Sequence, residues 1–262
     1  MKGVVLAGGL GTRLRPLTET TNKHLLPVYD RPMIHYPLDC LRNAGIDEVV
    51  VVTNDGFVDE FRRWLGDGTA LGLRRLGVAG QTGEGGIADA LLQAEPFIRD
   101  ERICVILGDN IIEGNIIGAA HAFRRQRVGA RVLLKAVRDP HRFGIADLRD
   151  GRLVDLIEKP SDPPSNLAVT GIYFYDAEVF DLCRRIEPSA RGELEITDVN
   201  KAYLQKGTLE YDMLEGWWTD AGTFESLTQA WRLVSETGAN HANPPTRGPR
   251  LFDVRSASSL VG

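Results

Sequence analysis

Cysteine is scarce in this 262-residue sequence, which has only three of them. Cys40, Cys104 and Cys183 are odd in number and widely spaced, so they form neither a disulfide framework nor a paired metal-ligand motif. Each lies among apolar neighbours, and free cysteine behaves as a small buried hydrophobe. We therefore expect three buried thiols.

An excess of positive charge is also missing, as are long apolar runs. The chain has 31 Lys and Arg against 36 Asp and Glu, a net charge of -5, whereas nucleic-acid binders usually carry a basic surface. No apolar run reaches the roughly 18 residues that span a bilayer, and Gly8-Gly9 interrupt the first apolar run too early for a signal peptide. We expect a cytoplasmic protein without a nucleic-acid or membrane partner.

What the sequence does contain is an alternation of strand and helix patterns. The apolar run Gly3–Leu6 predicts a buried strand, Met33–Asn43 carries a helical stripe, and Asp47–Thr53 predicts a second strand. A strand, a helix and a strand in this order are typical of a βαβ unit with parallel strands.

The same patterns continue along the chain, with the hairpin signal Asp150-Gly151 in its second half. They predict helices at 58–65, 88–98, 117–126, 177–186 and 224–236, and strands at 102–107, 130–137, 144–148, 153–158, 168–175, 209–213 and 216–219. We therefore expect one α/β domain: a Rossmann-like, three-layer fold with a mostly parallel central sheet and an added antiparallel portion. The domain is predicted to span residues 1–236, and a shift in composition predicts a poorly structured C-terminal tail at 237–262.

A glycine-rich loop follows the first strand. Gly8, Gly9 and Gly11 allow the backbone to turn tightly and approach a ligand, and successive N–H groups in such a turn form a cradle for anions. Arg13, Arg15 and Lys23 add positive charge in the same segment. The loop therefore predicts a polyphosphate site.

The loop matches neither of two common phosphate-binding motifs. The dinucleotide fingerprint needs a third glycine where Leu14 stands, and the Walker A loop needs Gly-Lys-Ser/Thr where Gly11 is followed by Thr12-Arg13. An NAD-binding Rossmann protein is therefore disfavoured.

Two aspartates are placed where ligands bind in open α/β sheets, beyond the carboxyl ends of strands. Asp109 follows the strand at 102–107, and Asp220 lies between a strand and the turn Gly222-Thr223. Alone, Asp109 could equally be a turn residue, and Thr223 is a good helix N-cap in its own right. Together the two carboxylates predict a shared site for Mg²⁺, which prefers oxygen ligands and substrate phosphates.

Four motifs carry a resemblance to a known family. They are LAGGxGTRLxPxTxxxxKxLLP at 6–27, LGDN at 107–110, EKP at 158–160 and WxDxGT at 218–223. With them the chain resembles the sugar-1-phosphate nucleotidyltransferases, most closely the thymidylyltransferases, up to about Ser235. The segment Pro188–Asp198 also resembles the family, and we expect packing or subunit contact from it as much as substrate contact.

The resemblance implies roles for individual residues. Residues 1–120 would form a nucleotide-binding half and residues 121–236 a sugar-binding half. Asp109 and Asp220 would bind the metal, while Arg13, Lys23 and Lys159 would be catalytic. The residues implied to bind the nucleotide are Leu6, Gly8, Gly9, Gly11, Thr12, Arg13, Gln81, Gly86 and Asp109. Those implied to bind the sugar are Asn110, Gly144, Glu158, Lys159, Val169 and Trp218.

The implied reaction is a magnesium-dependent nucleotidyl transfer. The phosphate of glucose 1-phosphate would attack the α-phosphorus of dTTP in line, giving dTDP-glucose and pyrophosphate, with positioning and charge stabilisation as the main work of the protein. Gln81 would recognise the base, because its amide offers both a donor and an acceptor. The resemblance also leaves room for a homo-oligomer.

The chain departs from the family pattern at two places. The segment Gln81–Ala90 lacks two prolines and has Asp89 where Gln is usual, and Leu10 replaces a frequent Ser. These departures motivate an alternative substrate, UTP or another sugar 1-phosphate. A non-catalytic sugar-nucleotide sensor is a second alternative, disfavoured because the predicted cations and aspartates are all present.

Overall fold

The computed structural model describes residues 1–241, so most of the predicted tail, residues 242–262, lies outside the described residues. The strands are β1 Lys2–Ala7, β2 Pro27–Val28, β3 Arg31–Pro32, β4 Glu48–Asn54, β5 Arg75–Gln81, β6 Ile103–Leu107, β7 Asn110–Ile112, β8 Ala130–Ala136, β9 Gly144–Arg149, β10 Arg152–Glu158, β11 Leu167–Tyr175, β12 Leu209–Met213 and β13 Trp218–Asp220. The helices are α1 His35–Asn43, α2 Val58–Leu65, α3 Ile87–Leu92, α4 Glu95–Ile98, α5 Ile117–Arg125, α6 Val179–Arg185, α7 Ile196–Gln205 and α8 Phe224–Thr237.

Nine of the strands form one sheet with a parallel and an antiparallel part. The order is β10-β9-β11-β6-β1-β4-β5, and β8 joins β11 to β12. Strands β5, β4, β1 and β6 are parallel, whereas β11 runs antiparallel to β6, β8 and β9. The predicted combination of a parallel central sheet with an antiparallel portion is confirmed.

Helices cover both faces of this sheet. Along β1, Val4 and Leu6 point to one face while Val5 and Ala7 point to the other, and all four are buried. The first face packs against α3, α4, α6 and α7, and the second against α1, α2 and α5. This alternation of buried side chains produces the predicted three layers, because each face of a sheet must bury its apolar residues.

A small separate ribbon lies beyond the carboxyl end of β6. Strand β7 pairs antiparallel with β13, which places Asp220 opposite Asn110. Helix α8 begins just after, and the Thr223 hydroxyl accepts a hydrogen bond from Ser226 N in a capping box. The predicted N-cap is therefore confirmed, and the cap fixes the turn that follows Asp220.

The predicted elements that form agree with the structure to within two residues at each end, except for one helix. The helix predicted at 88–98 is two helices, α3 and α4, and Pro96 lies in the first turn of the second, where proline is tolerated. Asp150-Gly151 joins β9 and β10 in a hairpin as predicted.

Five elements were missed: the short strands β2, β3 and β7, together with strand β5 and helix α7. Helix α7 lies partly within a segment that we had interpreted only by its family resemblance. Strand β5 was obscured by Gly77 and Gly80, which interrupt its apolar pattern. A Cβ at these positions would lie 3.1 Å from the ring of Phe97 and 2.0 Å from the carboxylate of Asp55, so a larger residue at either position would displace a neighbouring side chain.

The remaining structural expectations concern the cysteines and the chain end. All three cysteines are free and buried, as predicted. Within residues 1–241 no helix is long and apolar enough to cross a membrane. Residues 238–241 pack on the domain, where Asn240 Nδ2 donates to Tyr36 O at 2.8 Å. The predicted boundary near residue 120 falls inside α5, and the sheet is continuous across both halves.

Gly129 permits a close backbone crossing between α5 and β8. Its φ is +97°, and a Cβ there would lie 2.0 Å from the carbonyl oxygen of Thr208. We expect Gly129→Ala to lower the free energy of unfolding by more than about 2 kcal/mol, because backbone atoms must shift and the conformation is strained. Urea denaturation measures this change.

Gly118→Ala is the matched control. A Cβ at Gly118, inside α5, meets nothing within 4 Å, so the substitution should leave stability unchanged or raise it by up to about 1 kcal/mol. Equal effects of the two substitutions would contradict this account of Gly129.

Candidate functional site

Two adjoining cavities open at the edge where the parallel strands end. The first, which we call the glycine-loop cavity, encloses about 260 Å³. The second, which we call the Trp218 cleft, encloses about 430 Å³. Both are lined by Ile87, Leu107 and Asp109. Asp109 therefore stands at the junction of the two cavities.

The two cavities divide most of the predicted site residues between them. The glycine-loop cavity is lined by Leu6, Gly8, Gly9, Lys23, Gln81 and Gly86, together with His24, Glu84, Ala90 and Glu193. The Trp218 cleft is lined by Arg13, Asn110, Gly144, Glu158, Lys159, Val169, Trp218 and Asp220, together with Arg142, Phe143, Gly171, Tyr173, Glu195, Ile196, Thr197 and Asn200. Gly11 and Thr12 belong to the same loop but line neither cavity.

Asp109 is held by a cation and an amide. Lys23 Nζ lies 2.6 Å from Asp109 Oδ2, and Asn110 Nδ2 donates to Oδ1 at 3.0 Å. Burial alone would raise the pKa of Asp109, but the charge of Lys23 and these hydrogen bonds outweigh it and hold the pKa below its ordinary value. Asp109 is therefore a carboxylate throughout the neutral range.

Asn110 is itself fixed by its neighbours. Its Oδ1 accepts from Gly171 N at 2.9 Å and from Trp218 Nε1 at 2.7 Å, and the residue is buried. The Trp218 ring is tilted against Phe143 with 5.1 Å between centroids. Asn110 thus orients Asp109, and its predicted contact with a sugar stays a prediction.

Asp220 approaches the same junction from the neighbouring strand. Ala221 N donates to Asp109 O at 2.8 Å, and Arg142 Nη2 lies 2.8 Å from Asp220 Oδ2. Burial and the negative charge of Asp109 raise the pKa of Asp220 to about 6, and the charges of Arg142 and Arg13 offset this only in part.

The two carboxylates fit a shared divalent cation. In the part of the chain that the structure describes, no three His, Cys, Asp or Glu side chains gather as a complete metal site. Asp109, whose pKa is lowered, and Asp220, whose pKa is raised, offer only oxygen ligands at this junction. Such ligands suit a hard cation that takes its remaining ligands from substrate and water.

Arg13 extends from the glycine-rich loop toward the two aspartates. Its Nη2 lies 3.3 Å from the Cβ position built on Gly222, and Asp109 Oδ2 lies 3.6 Å from the same position. Lys23 and Arg13 therefore place two positive charges beside Asp109, one in each cavity. This arrangement can hold a multiply charged anion that crosses the junction.

Lys159 and Glu158 line the Trp218 cleft. Lys159 Nζ is 3.4 Å from Glu158 Oε1, and Thr197 Oγ1 donates to Glu158 Oε2 at 2.6 Å. Lys159 has φ of +41°, a strained conformation for a residue other than glycine. Such strain is often found at binding sites, where the surrounding structure maintains it.

Gln81 lies at the end of β5, with its side chain in the glycine-loop cavity. Its Nε2 donates to Asp89 Oδ2 at 2.7 Å and to Gly86 O at 3.2 Å. The sequence had marked Asp89 only as a departure from a family pattern, and the structure makes it a direct partner of Gln81.

The segment Pro188–Asp198 packs on the loop that follows Gln81. Leu194 N donates to Gly85 O at 2.8 Å, and Ala88 N donates to Leu194 O at 3.2 Å. Glu193 lines the glycine-loop cavity and Glu195 lines the Trp218 cleft. The segment therefore combines a packing role with a place at both cavities.

Three residues of the site were missed by sequence reasoning. Arg142 pairs with Asp220, and Arg191 Nη2 lies 2.8 Å from Glu195 and 3.5 Å from Glu158. His24 is buried, and burial together with the charge of Lys23 lowers its pKa to about 3, so its ring is neutral. The only sequence signal for Arg191 was its position inside the segment Pro188–Asp198, and no sequence pattern marked Arg142.

Comparison with known proteins places similarity over nearly all of the described chain. A family model described as nucleotidyl transferase matches residues 2–237. The glucose-1-phosphate thymidylyltransferase of Neisseria meningitidis serogroup A is 44% identical over 238 residues, 89% of this chain and 82% of that protein. That of Mycolicibacterium smegmatis is 42% identical over 237 residues, with coverage of 89% and 82%.

Solved structures are similar over the same range. The crystal structure of a candidate glucose-1-phosphate thymidylyltransferase from Bacillus anthracis, in complex with sucrose, has a TM-score of 0.87 and 44% identity, covering 92% of this chain and 98% of that one. A UDP-glucose pyrophosphorylase structure has a TM-score of 0.78 at 23% identity, covering 90% of this chain and 98% of the other. The latter likeness concerns the fold alone.

The raised pKa of Asp220 makes stability depend on pH. Because the folded pKa of about 6 exceeds the ordinary value of 3.8, the folded protein holds this proton more tightly, and its stability falls as pH rises from about 4 to about 6. In chelator-treated protein we expect Asp220→Asn to be more stable than the parent by about 1–3 kcal/mol near pH 8 and equally stable near pH 4. Urea denaturation at the two pH values measures both differences.

The comparison near pH 4 is the internal control, because both side chains are then uncharged. A pH-independent difference between the two proteins would contradict the raised pKa.

Proposed function

The chain belongs to the nucleotidyl transferase family, and we propose that it transfers a thymidylyl group from dTTP to glucose 1-phosphate, giving dTDP-glucose and pyrophosphate. The family resemblance expected from the sequence motifs is thereby confirmed. The observation that carries the proposal is the meeting of two cavities at Asp109, with a second carboxylate, Asp220, in one of them. The names of relatives at 42–44% identity support the choice of substrates.

The glycine-loop cavity would hold the nucleotide. Leu6, Ile87 and Leu107 supply apolar surface for a base, and Gly8 and Gly9 leave the backbone open beside it. The triphosphate would then lie along the loop toward Arg13 and Lys23. Backbone N–H groups and these two cations suit a polyphosphate, because they bring fixed positive charge without a further rearrangement.

The Trp218 cleft would hold the sugar phosphate. Lys159 and Arg191 are the cations nearest Glu158, and they would bind the phosphate group. Glu158, Asn110 and the backbone of Gly144 and Val169 would bind sugar hydroxyls. The strained backbone of Lys159 would keep its ammonium group in place for this contact.

Magnesium is the cation that we propose for Asp109 and Asp220. Their oxygen-only donor set and the unfavourable ionisation of Asp220 beside Asp109 support it. When bound, the ion would supply positive charge at the α-phosphate. Lys23 and Arg142 form ion pairs with Asp109 and Asp220. In the complex the two carboxylates would contact the ion as well, and the two cations would also contact the phosphates.

In this reaction the protein mainly positions the two phosphates and forms no covalent bond to either substrate. The sugar phosphate, held from one cavity, and the α-phosphate, held from the other, would meet beside Asp109 with their reacting atoms in line. Arg13 and Lys23 would stabilise the charge that develops on the leaving pyrophosphate. A planar guanidinium such as that of Arg13 can contact two phosphate oxygens at once.

Replacement of either aspartate tests the proposal. We expect Asp109→Asn and Asp220→Asn each to lower turnover of dTTP and glucose 1-phosphate, with Mg²⁺ present, by at least about 100-fold, because charge stabilisation of the transferring group is lost. Continuous measurement of pyrophosphate release gives the rates.

Asp181→Asn is the control for the loss of one negative charge. Asp181 is an exposed residue of α6 that lines neither cavity, and its replacement should leave turnover unchanged. Near-normal rates in folded Asp109→Asn or Asp220→Asn would contradict the metal assignment. Absence of pyrophosphate release by the parent protein would contradict the reaction itself.

A further inference from the structure

We propose that Asp89 is a positioning residue for base selection. It fixes the side-chain amide of Gln81 so that the carbonyl oxygen, Oε1, faces the base. The site would then accept pyrimidines with an N–H at ring position 3, thymine and uracil, and reject cytosine. This inference rests on the proposed function, since it takes the base of a nucleotide to occupy the glycine-loop cavity.

The side-chain amide of Gln81 contacts two acceptors. Gln81 is only 4% exposed, and its Nε2 lies 2.7 Å from Asp89 Oδ2 and 3.2 Å from Gly86 O. Nitrogen and oxygen of a side-chain amide are told apart by their hydrogen-bond partners. Here both partners are oxygen atoms, and one belongs to a carboxyl group.

Asp89 and Gly86 O allow only one orientation of the Gln81 amide. An ionised carboxylate and a backbone carbonyl accept hydrogen bonds and cannot donate them. Asp89 lies in the first turn of α3, and its carboxyl oxygen Oδ2 contacts the Gln81 amide at the end of β5. A reversed Gln81 amide would bring its oxygen against two acceptors, so the NH₂ group must face Asp89.

The oxygen of the Gln81 amide, Oε1, lies on the side of the glycine-rich loop. A Cβ built on Gly8 would lie 2.9 Å from Gln81 Oε1, so this oxygen lies against the glycine-rich loop, and both residues line the glycine-loop cavity. Within residues 1–241, Oε1 accepts no hydrogen bond. A ligand in the cavity can therefore donate to it.

The pyrimidine bases differ in whether ring position 3 donates or accepts a hydrogen bond. Thymine and uracil carry N3–H, a donor that matches an acceptor. Cytosine has an unprotonated N3, whose lone pair would face the lone pairs of Oε1. Gln81 could donate a hydrogen bond to cytosine N3 only by turning its amide around, and Asp89 opposes that rotation. A buried acceptor such as cytosine N3 or Gln81 Oε1 that is left without a donor costs free energy. The fixed orientation of the amide therefore makes the site select against cytosine.

The test compares dTTP with dCTP in Asp89 variants, with glucose 1-phosphate and Mg²⁺. Leucine has a similar size to aspartate but cannot accept a hydrogen bond. We expect Asp89→Leu to lower the ratio of kcat/KM for dTTP to that for dCTP by at least about tenfold. Asp89→Asn should largely restore the ratio, because its Oδ1 can still accept from Gln81.

Glu84→Leu is the matched control. Glu84 lines the same cavity and has no hydrogen bond to Gln81, so its replacement removes a negative charge near the ligand without freeing the amide. It should alter kcat/KM for both nucleotides alike and leave their ratio unchanged. A purely electrostatic or structural role of Asp89 would give Asp89→Leu the same behaviour as this control.

The outcomes separate this inference from the proposed function. An unchanged ratio in folded, active Asp89→Leu overturns the role of Asp89 and leaves the proposed function standing. A parent protein that turns over neither nucleotide overturns both. If Asp89→Leu does not fold, Asp89→Ala, which is smaller and also lacks an acceptor, carries the same comparison.

Discussion

The contact between Lys23 and Asp109 is the interaction on which the rest of the site depends. At 2.6 Å it ties the segment after the glycine-rich loop to the residue that follows β6, and these two segments leave neighbouring parallel strands. Loss of one partner of such a largely buried pair leaves an uncompensated charge and is destabilising. Asn110, held by Gly171 and Trp218, then fixes the carboxylate from the other side. The glycine-loop cavity and the Trp218 cleft thus share one rigid negative charge.

Asp220 brings a second negative charge close to Asp109, and the protein alone does not favour its ionised form. The pairing of β13 with β7 brings it beside Asp109, and the raised pKa reflects burial near a second carboxylate with only partial relief from Arg142. Such a local cost is typical of functional sites, where residues suit a ligand better than they suit the fold. A cation that both carboxylates could share would remove the conflict, and for this reason the two aspartates are better explained together than apart.

The sequence was sufficient for the fold class, the positions of most elements and the residues that follow strands. Gly8 and Asp109 come together because the carboxyl ends of parallel strands meet at one edge, a rule that needs no side-chain detail. Long-range side-chain contacts could not be predicted in this way. Arg142 and Asp220 are separated by 78 residues, and no local pattern links them. Strand β5 was missed because its glycines leave space for neighbouring side chains, and the sequence does not reveal those contacts. The partnership of Asp89 and Gln81 required a helix turn and a strand end to be placed in three dimensions.

Product formation under competition tests the central claim most directly. The protein would receive an equimolar mixture of dTTP, UTP, dCTP, ATP and GTP, a mixture of sugar 1-phosphates, and Mg²⁺, and mass spectrometry would identify the sugar nucleotides formed. The account predicts dTDP-glucose as the main product and no cytidine product above background. No sugar nucleotide from folded protein would contradict nucleotidyl transfer and favour a non-catalytic sensor. A different nucleotide or sugar as the main product would contradict the substrates proposed for the two cavities.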